Sequence, residues 1–476
     1  MDASTQVVID TNFRSAMRRM QQAGRISTYA HEADTEFQIA GMMKKLDGGP
    51  GLLFPRVKGH VMPVFGNMLS CRENCEAAFG VDYRGIRQFV TRALGNPVAP
   101  VLVSKAPVHE NVHREFELGR ILPVLRHTDG DSGRFITAGI VIVKDPETGV
   151  YNASYHRLQV IGPQRTAIKL DFGRHLRAAY ERAQKMGVAL PIAVCIGTDL
   201  AVHYTAATMG SQMPESADEL AIAGGLRGEP IPVVRGLTQD LHYPAETEIV
   251  LEGVLLPGET VREGPFGEFV GYLSPEGDAP VFEITALAHR SNPVYFAING
   301  VGRETIMLRK YVMEASLLKA LQAATPIVKD VEMTAGGLHR FHAVISVKKT
   351  NPQQEGLQRN AILAAFGTLK DLDLVIAVDE DIDIQDPNDV EYALAMRMEA
   401  SRDLFIIPGA RTHEYVRKSD NGIRAKVGID ATVPFEDKAR FERAPFRDVE
   451  VDAKSFTKES TGLDWLQSGS NEEKTC

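Results

Sequence analysis

The chain has 476 residues, 44% hydrophobic and 24% charged, which is an ordinary soluble globular composition. A single core rarely grows past about 250–300 residues, so more than one domain is expected. With 53 basic against 62 acidic side chains the net charge is −9; this excludes the electrostatic footprint of a nucleic-acid or anionic-membrane binder and leaves a small molecule as the expected partner.

In chain order, FRSAMRRMQQAG spaces Phe13, Met17 and Met20 at helical intervals and ends at Gly24, a plausible C-terminal cap. GLLFPRVKGHVMPVFGN then switches to short apolar runs broken by Gly and Pro, the mark of strands and turns. Cys71, Cys75, Cys195 and Cys476 are too few and too scattered for a disulfide framework, which points to the cytoplasm; Cys71 and Cys75, one helical turn apart, read as a reduced pair on a helix. The N-terminus lacks the basic start and apolar core of a signal peptide, and no run of about 20 apolar residues offers a membrane span.

From about residue 135 to 297 the runs FITAGIVIV, PIAVCIG, TEIVLEGVLL and PVFEITALAH, with one helix in RHLRAAYERAQKMG, predict a mostly antiparallel sheet or barrel. ETIMLRKYVMEASLLKALQAA predicts a long amphipathic helix stopped before Pro326, a connector between domains. HAVISVK, NAILAAFGTL, LDLVIAV, DVEYALAMRM and DLFII alternate strand and helix and predict a small α/β domain with parallel strands. The last twenty residues predict a helix and a frayed polar tail. The expected class is therefore mixed α/β (α+β).

Three local motifs bear on chemistry. HENVH, residues 109–113, matches the zinc-peptidase signature H-E-x-x-H, which requires both imidazoles on one face of a regular helix and a third ligand. Pro107 just before it and the strand-like VLV upstream argue against that helix. The acidic run DEDIDIQD, residues 379–386, lacks the glycine a calcium loop needs at its sixth position and reads as a solvated loop after a buried strand. Neither a P-loop nor a G-x-G-x-x-G dinucleotide turn is present. EGPFGE, residues 263–268, carries two carboxylates around Gly264, Pro265 and Gly267, which forbid a helix. A tight turn or kinked strand there could place both carboxyls in one cleft, where repulsion and desolvation would raise at least one pKa; a plain polar hairpin is the other reading of the same residues.

EGPFGE followed by GY, and preceded by PAETEIVLEG, resembles the UbiD-type decarboxylases, which use prenylated FMN. The resemblance extends through NASYHR, GRH, DELAIAGGLRGEPIPVV, VGRET, DPNDVEYALAMRMEASRD and AKVGIDAT, in order over most of the chain. It implies an N-terminal α/β region (1–115), a central split β-barrel binding the flavin (116–302), a linker helix (303–326) and a C-terminal α/β oligomerisation domain with a helical tail (327–476). By motif it implies Asn152, His175 and Glu219 as ligands of manganese or magnesium bridging to the cofactor phosphate, with potassium as a further ion. Arg157, Glu263 and Glu268 would be catalytic, with Glu268 the proton donor. Ser154, Tyr155, His156, Arg157 and Arg174 would line the cofactor together with the metal trio, and Lys426 would bind phosphate. Tyr155 and His156 stand where relatives commonly have small apolar residues, and Arg174 where they have other polar ones.

The activity implied is a carboxy-lyase: reversible non-oxidative decarboxylation of an aromatic, heteroaromatic or α,β-unsaturated carboxylic acid, releasing carbon dioxide through a covalent substrate–flavin adduct. Its partners would be that small acid, a flavin prenyltransferase supplying the cofactor, and further copies of the chain in a homodimer or larger homo-oligomer, with no nucleic acid and no membrane. Two other classes stand beside it: a conventional FMN-dependent oxidoreductase on a split barrel, and a non-catalytic flavin-binding protein. Two carboxylates beside an arginine favour proton chemistry over hydride transfer.

Overall fold

A computed structural model describes residues 8–171, 175–207, 216–447 and 449–450. The chain divides into two compact units, Met1–Thr432 and Val433–Cys476. Of the second, the described part holds a short 3-10 segment, Phe435–Phe441, with an Arg440–Asp437 ion pair. The helix and tail predicted for the last twenty residues lie outside the described residues.

The first unit opens with the helix Phe13–Gln22, whose amides at Arg14 and Ser15 are capped by the Asn12 side chain. Phe13, Ala16 and Met20 form its buried stripe, and Gly24 takes the left-handed conformation that ends it. Strands Ile26–Thr28, Gly51–Phe54 and Val64–Gly66 follow, and Tyr295–Ala297 returns from far along the chain to complete this four-stranded sheet.

The central sheet has nine strands, all paired antiparallel. Ile249–Glu263 and Gly277–His289 run side by side at its middle, flanked by Leu190–Ile196, Ile140–Lys144 and Tyr151–Tyr155 on one side and by Arg165–Ile168, Leu158–Gly162 and Phe135–Ile136 on the other. Phe135–Ile136 and Tyr151–Tyr155 end the path without pairing to each other, so among the described residues the hydrogen-bonded sheet is open where a closed barrel was one expectation. Gly253 sits at a register shift where an added Cβ would meet the Glu283 carbonyl oxygen at 1.9 Å, so close backbone approach requires glycine there. The path leaves Glu263 at the last position of one central strand and Tyr155 at the end of the edge strand.

The long helix Arg303–Ala324 ends before Pro326, as its sequence predicts, but its burial differs from the amphipathic expectation. Lys310 to Ala315 are six consecutive buried positions, more than one helical face can hold. The helix is packed by helices Tyr83–Gly95, Leu200–Ala207 and Leu357–Thr368 and by strand Val328–Met333, which bury its middle on all sides and leave Lys319 and the last turn exposed. It also bridges cores: Met307, Leu308 and Tyr311 join the large one, and Leu317 and Leu321 join that of the C-terminal sheet.

That sheet runs Val328–Met333, His342–Val347, Leu374–Asp379, Ile423–Ala431, Leu404–Arg411. The middle three strands are parallel and both edges antiparallel, so the expected parallel unit is present with DLFII as an antiparallel edge. The acidic run after Leu374–Asp379 is held by Arg397, which bonds Asp379 at 3.2 Å and Asp381 at 2.8 and 2.5 Å, while Asp386 caps the next helix.

Charges carried inside by the long helix are paired there. Lys310 bonds Glu314 and Glu332, and Arg87 bonds Asp330 at 2.8 Å and lies 3.8 Å from Glu314. Burial, with Glu314 alongside, pushes the Glu332 carboxyl up to about 8. Lys310→Met would leave two buried carboxyls without their cation, which costs about 3–5 kcal/mol. Urea unfolding should show that loss, and adding Glu314→Gln and Glu332→Gln to the same chain should restore most of it.

Candidate active site

HENVH does not form a helix. Pro107–His109 is a 3-10 turn and Asn111–His113 a strand paired with Gly277–His289. His109 Nε2 lies 2.7 Å from the Tyr243 hydroxyl, His113 Nε2 lies 3.2 Å from His289 Nε2, and Glu110 accepts from the Ser291 amide. The two imidazoles thus have separate partners, and among the described residues no group of three or more His, Cys, Asp or Glu could hold a metal ion. Cys75, buried on its helix, has its thiol pKa raised by burial and is free, as is Cys71.

EGPFGE folds as the sharp turn its glycines predict. Gly264 lies at φ +83°, the Gly264–Pro265 bond is cis, and Phe266–Gly267 pairs with Leu273–Ser274. The turn is pinned from outside: the Gly264 amide donates to Gln159 Oε1 and the Gly267 amide to Asp131 Oδ1, both at 3.0 Å. It meets Arg157, two residues past the strand Tyr151–Tyr155. Arg157 Nε and Nη2 donate to the two oxygens of Glu263 at 2.7 and 2.8 Å, and Nη1 bonds Glu268 Oε1. The guanidinium also lies 5.1 Å over the Phe266 ring.

The two carboxylates differ in setting. The Glu263 side chain is fully buried with both oxygens on the fork; that of Glu268 is 17% exposed. Burial raises the Glu268 carboxyl above the ordinary range, against the pull of Arg157 and with the help of Asp171 and Glu263. Burial works against the Arg157 charge, but the Glu263 hydrogen bonds and both carboxylate charges outweigh it and raise its pKa.

Asn152, His175 and Glu219 form a second cluster. Asn152 is on the strand Tyr151–Tyr155, His175 begins the helix His175–Met186, and Glu219 begins the helix Glu219–Arg227. Asn152 Nδ2 donates to Glu219 Oε1 at 2.6 Å and lies 3.3 Å from His175 Nδ1, which is 3.4 Å from the same Glu219 oxygen. Glu219 Oε2 is buried with no partner among the described residues, and burial raises this carboxyl's pKa against the hydrogen bonds of His175 and Asn152. A carboxylate, an imidazole and an amide that can turn its oxygen inward make a donor set that a hard divalent cation accepts.

Of the other expected cofactor residues, Ser154 Oγ bonds Asn152 Oδ1 and His156 Nε2, each at 3.1 Å, and His156 Nδ1 lies 2.8 Å from the Lys169 carbonyl. The Tyr155 hydroxyl bonds His203 Nδ1. Arg174 lies outside the described residues. Lys426, on the strand Ile423–Ala431, donates its buried ammonium to the Leu372 carbonyl and to that of Lys370, a residue that lines the cavity described next.

A cavity of about 490 Å³ opens in front of the arginine. Tyr155, His156, Arg157 and Glu268 form one wall; Arg309, Arg340, Lys370, His413 and Tyr415 form the other. That second wall had no sequence signature, because RTHEY at 411–415 reads as an ordinary polar stretch. Arg340 is fixed by Asp371 at 2.6 Å, Tyr415 donates to Asp171 at 3.1 Å, and burial together with Arg340, Arg309 and Lys370 pushes His413 down to about 3.

An open antiparallel sheet and a parallel α/β sheet, joined through one buried helix around a cavity with an arginine–dicarboxylate centre, describe a class that known proteins share. The N-terminal, Rift-related and C-terminal domains of 3-octaprenyl-4-hydroxybenzoate carboxy-lyase match residues 17–93, 101–303 and 306–431. Anhydromevalonate phosphate decarboxylase of Methanosarcina mazei is 34% identical over 434 residues, 91% of this chain and 98% of that one. Gallate decarboxylase of Lactiplantibacillus plantarum is 32% identical over 463 residues, 88% and 94% of the two chains. The UbiD-class enzyme HmfF of Pelotomaculum thermopropionicum, solved with FMN, superposes with a TM-score of 0.87 at 40% identity over 91% of this chain and 97% of that one. An evolved dimeric form of HmfF, solved with prenylated FMN, gives 0.83 at 37% over 95% and 99%. The chain belongs to the UbiD family of carboxy-lyases.

HENVH is accordingly a structural segment. Metal analysis of the purified protein should find no stoichiometric zinc, and His109→Ala should retain most of the wild-type turnover. One zinc per chain, lost in that variant, would reinstate a metallopeptidase centre.

Proposed function

We propose that the chain catalyses reversible, non-oxidative decarboxylation of an aromatic or heteroaromatic carboxylic acid with prenylated FMN, Glu268 being the proton donor. The observation that carries this reading is the unequal pair on Arg157: a fully buried Glu263 occupying its fork, and a Glu268 facing the cavity with a raised pKa. Aromatic side chains of Tyr155, Phe266, Phe269 and Tyr415 in the cavity wall suit a flat acid. The likeness to gallate and anhydromevalonate phosphate decarboxylases, and the flavins held by HmfF, support the same reaction class.

Loss of carbon dioxide from an sp² carbon leaves an electron pair with no stabilisation of its own, and prenylated FMN, when bound, supplies the sink for it. The chain's residues do the rest. Arg157, held flat by Glu263, aligns the carboxylate of the acid as a charge-assisted donor. Glu268, neutral at the start, gives its proton to the carbon that carbon dioxide leaves and is reprotonated from water; in the carboxylating direction its carboxylate takes the proton from that carbon. Asn152, His175 and Glu219 would hold manganese or magnesium, with potassium as a further ion, to bind the cofactor phosphate. A flavin prenyltransferase would supply the cofactor, and a homodimer or larger homo-oligomer would be the working assembly.

Glu219→Ala should be purified with little bound flavin after co-expression with a flavin prenyltransferase. Full flavin and metal content in that variant would overturn the metal assignment.

Glu268→Gln keeps the shape of the side chain and removes the transferable proton. Turnover should fall by about 10²–10⁴-fold while flavin content stays normal, and deuterium from heavy water should enter the vacated carbon only in wild type. Because burial raises the Glu268 carboxyl, the donor form survives to higher pH than in a free glutamate, and decarboxylation should decline as pH rises through that raised value. Wild-type turnover in Glu268→Gln, with normal deuterium incorporation, would remove Glu268 from the role.

A further inference from the structure

The helix Leu200–Ala207 is buried along its whole length and carries His203 into a box of aromatic rings. Phe296 meets the imidazole edge to face with centroids 5.3 Å apart, and Tyr155 and Phe13 lie at 5.7 and 6.4 Å. Nδ1 is bonded to the Tyr155 hydroxyl, and Nε2 is buried with no hydrogen-bond partner among the described residues. Neither the arginine centre nor the Asn152 cluster uses this imidazole. Burial pushes its pKa down to about 3 and raises the Tyr155 phenol well above its ordinary value, so at neutral pH the pair carries two protons, one on each group.

Those protons have two arrangements. If the phenol donates to Nδ1, the imidazole proton sits on Nε2, which has no hydrogen-bond partner among the described residues. If Nδ1 donates to the phenol oxygen, Nε2 is left as a bare lone pair and the phenol proton turns away from His203. Both arrangements leave Nε2 unpartnered, as a donor in the first and as an acceptor in the second; only the second also frees the phenol proton for an acceptor in the cavity, which favours it. Tyr155 lines the cavity and His203 does not.

We infer that His203 carries its proton on Nδ1, donates it to the Tyr155 hydroxyl, and thereby makes Tyr155 a hydrogen-bond donor to a heteroatom of the flavin ring. This deepens the proposed function and rests on it for the identity of the ligand. The flavin is the acceptor because Tyr155 shares the strand Tyr151–Tyr155 with Asn152 and Ser154, the strand assigned above to the cofactor. The isoalloxazine ring offers nitrogen and carbonyl acceptors. His203, which touches no ligand, is a positioning residue acting through Tyr155.

The tautomer is read first, on the protein as purified, by histidine-selective 15N labelling with long-range proton correlation. His203→Asn identifies its signal among the 13 histidines, and the perturbation caused by Tyr155→Phe identifies it independently. A protonated Nδ1 is expected, and a protonated Nε2 overturns the inference. FMN is then titrated into flavin-free protein. Tyr155→Phe keeps the ring and removes the donor, so FMN affinity should fall by about five- to tenfold. Adding His203→Phe to that variant should cost no further affinity, whereas a merely structural histidine would add its own loss. Unchanged FMN affinity in Tyr155→Phe overturns the donor role. Wild-type protein that takes up no FMN would instead sink the cofactor reading, and the tautomer would still decide the His203–Tyr155 pair.

Discussion

The bidentate bond between Arg157 and Glu263 is the interaction on which the rest of the site depends. A guanidinium this buried is tolerable only with a carboxylate matched to it, and removing one partner of such a pair costs about 3–5 kcal/mol. The fold meets that demand by bringing together the ends of two strands that are far apart in sequence. Tyr151–Tyr155 delivers Arg157 from the sheet edge, and Ile249–Glu263 delivers Glu263 from its middle. Once the fork is filled, Arg157 has one nitrogen left for Glu268, and the geometry of everything in front of it is set.

What keeps Glu268 there is mostly backbone. The turn from Gly264 to Gly267 is tied to Gln159 and Asp131 through main-chain amides, and Asp131 itself accepts from the amides of His127 and Thr128 and from the Thr128 hydroxyl. Phe269, the next residue, sits 5.3 Å from the Arg340 guanidinium and packs against His413 and Tyr415. The carboxyl of Glu268 is therefore fixed on one side by the central sheet and on the other by the C-terminal sheet. The proton-donor role proposed for Glu268 would use that two-sided hold, because proton transfer demands a placement within hydrogen-bond reach of the reacting atom.

The legible parts of the sequence were those set by local stereochemistry. Gly264, Pro265 and Gly267 forbid a helix whatever surrounds them, and Pro107 gave the same warning about HENVH, which is a turn followed by a strand. Strand periodicity located most of the central sheet. The pairing of Glu263 with Arg157 spans 106 positions and has no local signal; only the resemblance of NASYHR and EGPFGE to one family joined them. The burial of the long helix was illegible for a related reason. Its pattern suggests one apolar face, whereas Glu314 and Lys310 on its other faces are matched by Arg87 and Glu332 from elements elsewhere in the chain. The second cavity wall was equally hidden, since His413 and Tyr415 acquire their setting only when Arg340 and Asp171 arrive beside them.

The unequal treatment of the two carboxylates has an electrostatic consequence for the proposed reaction. With Glu268 neutral, Arg157, Glu263 and Glu268 together carry no net charge, and an acid bound as its carboxylate brings the site to a single negative charge. In that reaction the electron pair left by carbon dioxide would be taken up by the bound prenylated FMN, and protonation by Glu268 would leave the charge on the Glu268 carboxylate, still beside Arg157. The buried site thus holds the same net charge at each stage, and no step requires a second charge to be stripped of water, the most expensive event a low-dielectric interior can impose. Glu263 is not placed to replace Glu268 in this sequence, because both its oxygens are taken by the arginine fork. In the proposed reaction Glu263 thus serves the arginine and Glu268 the carbon, a division that matches the full burial of one side chain and the cavity exposure of the other.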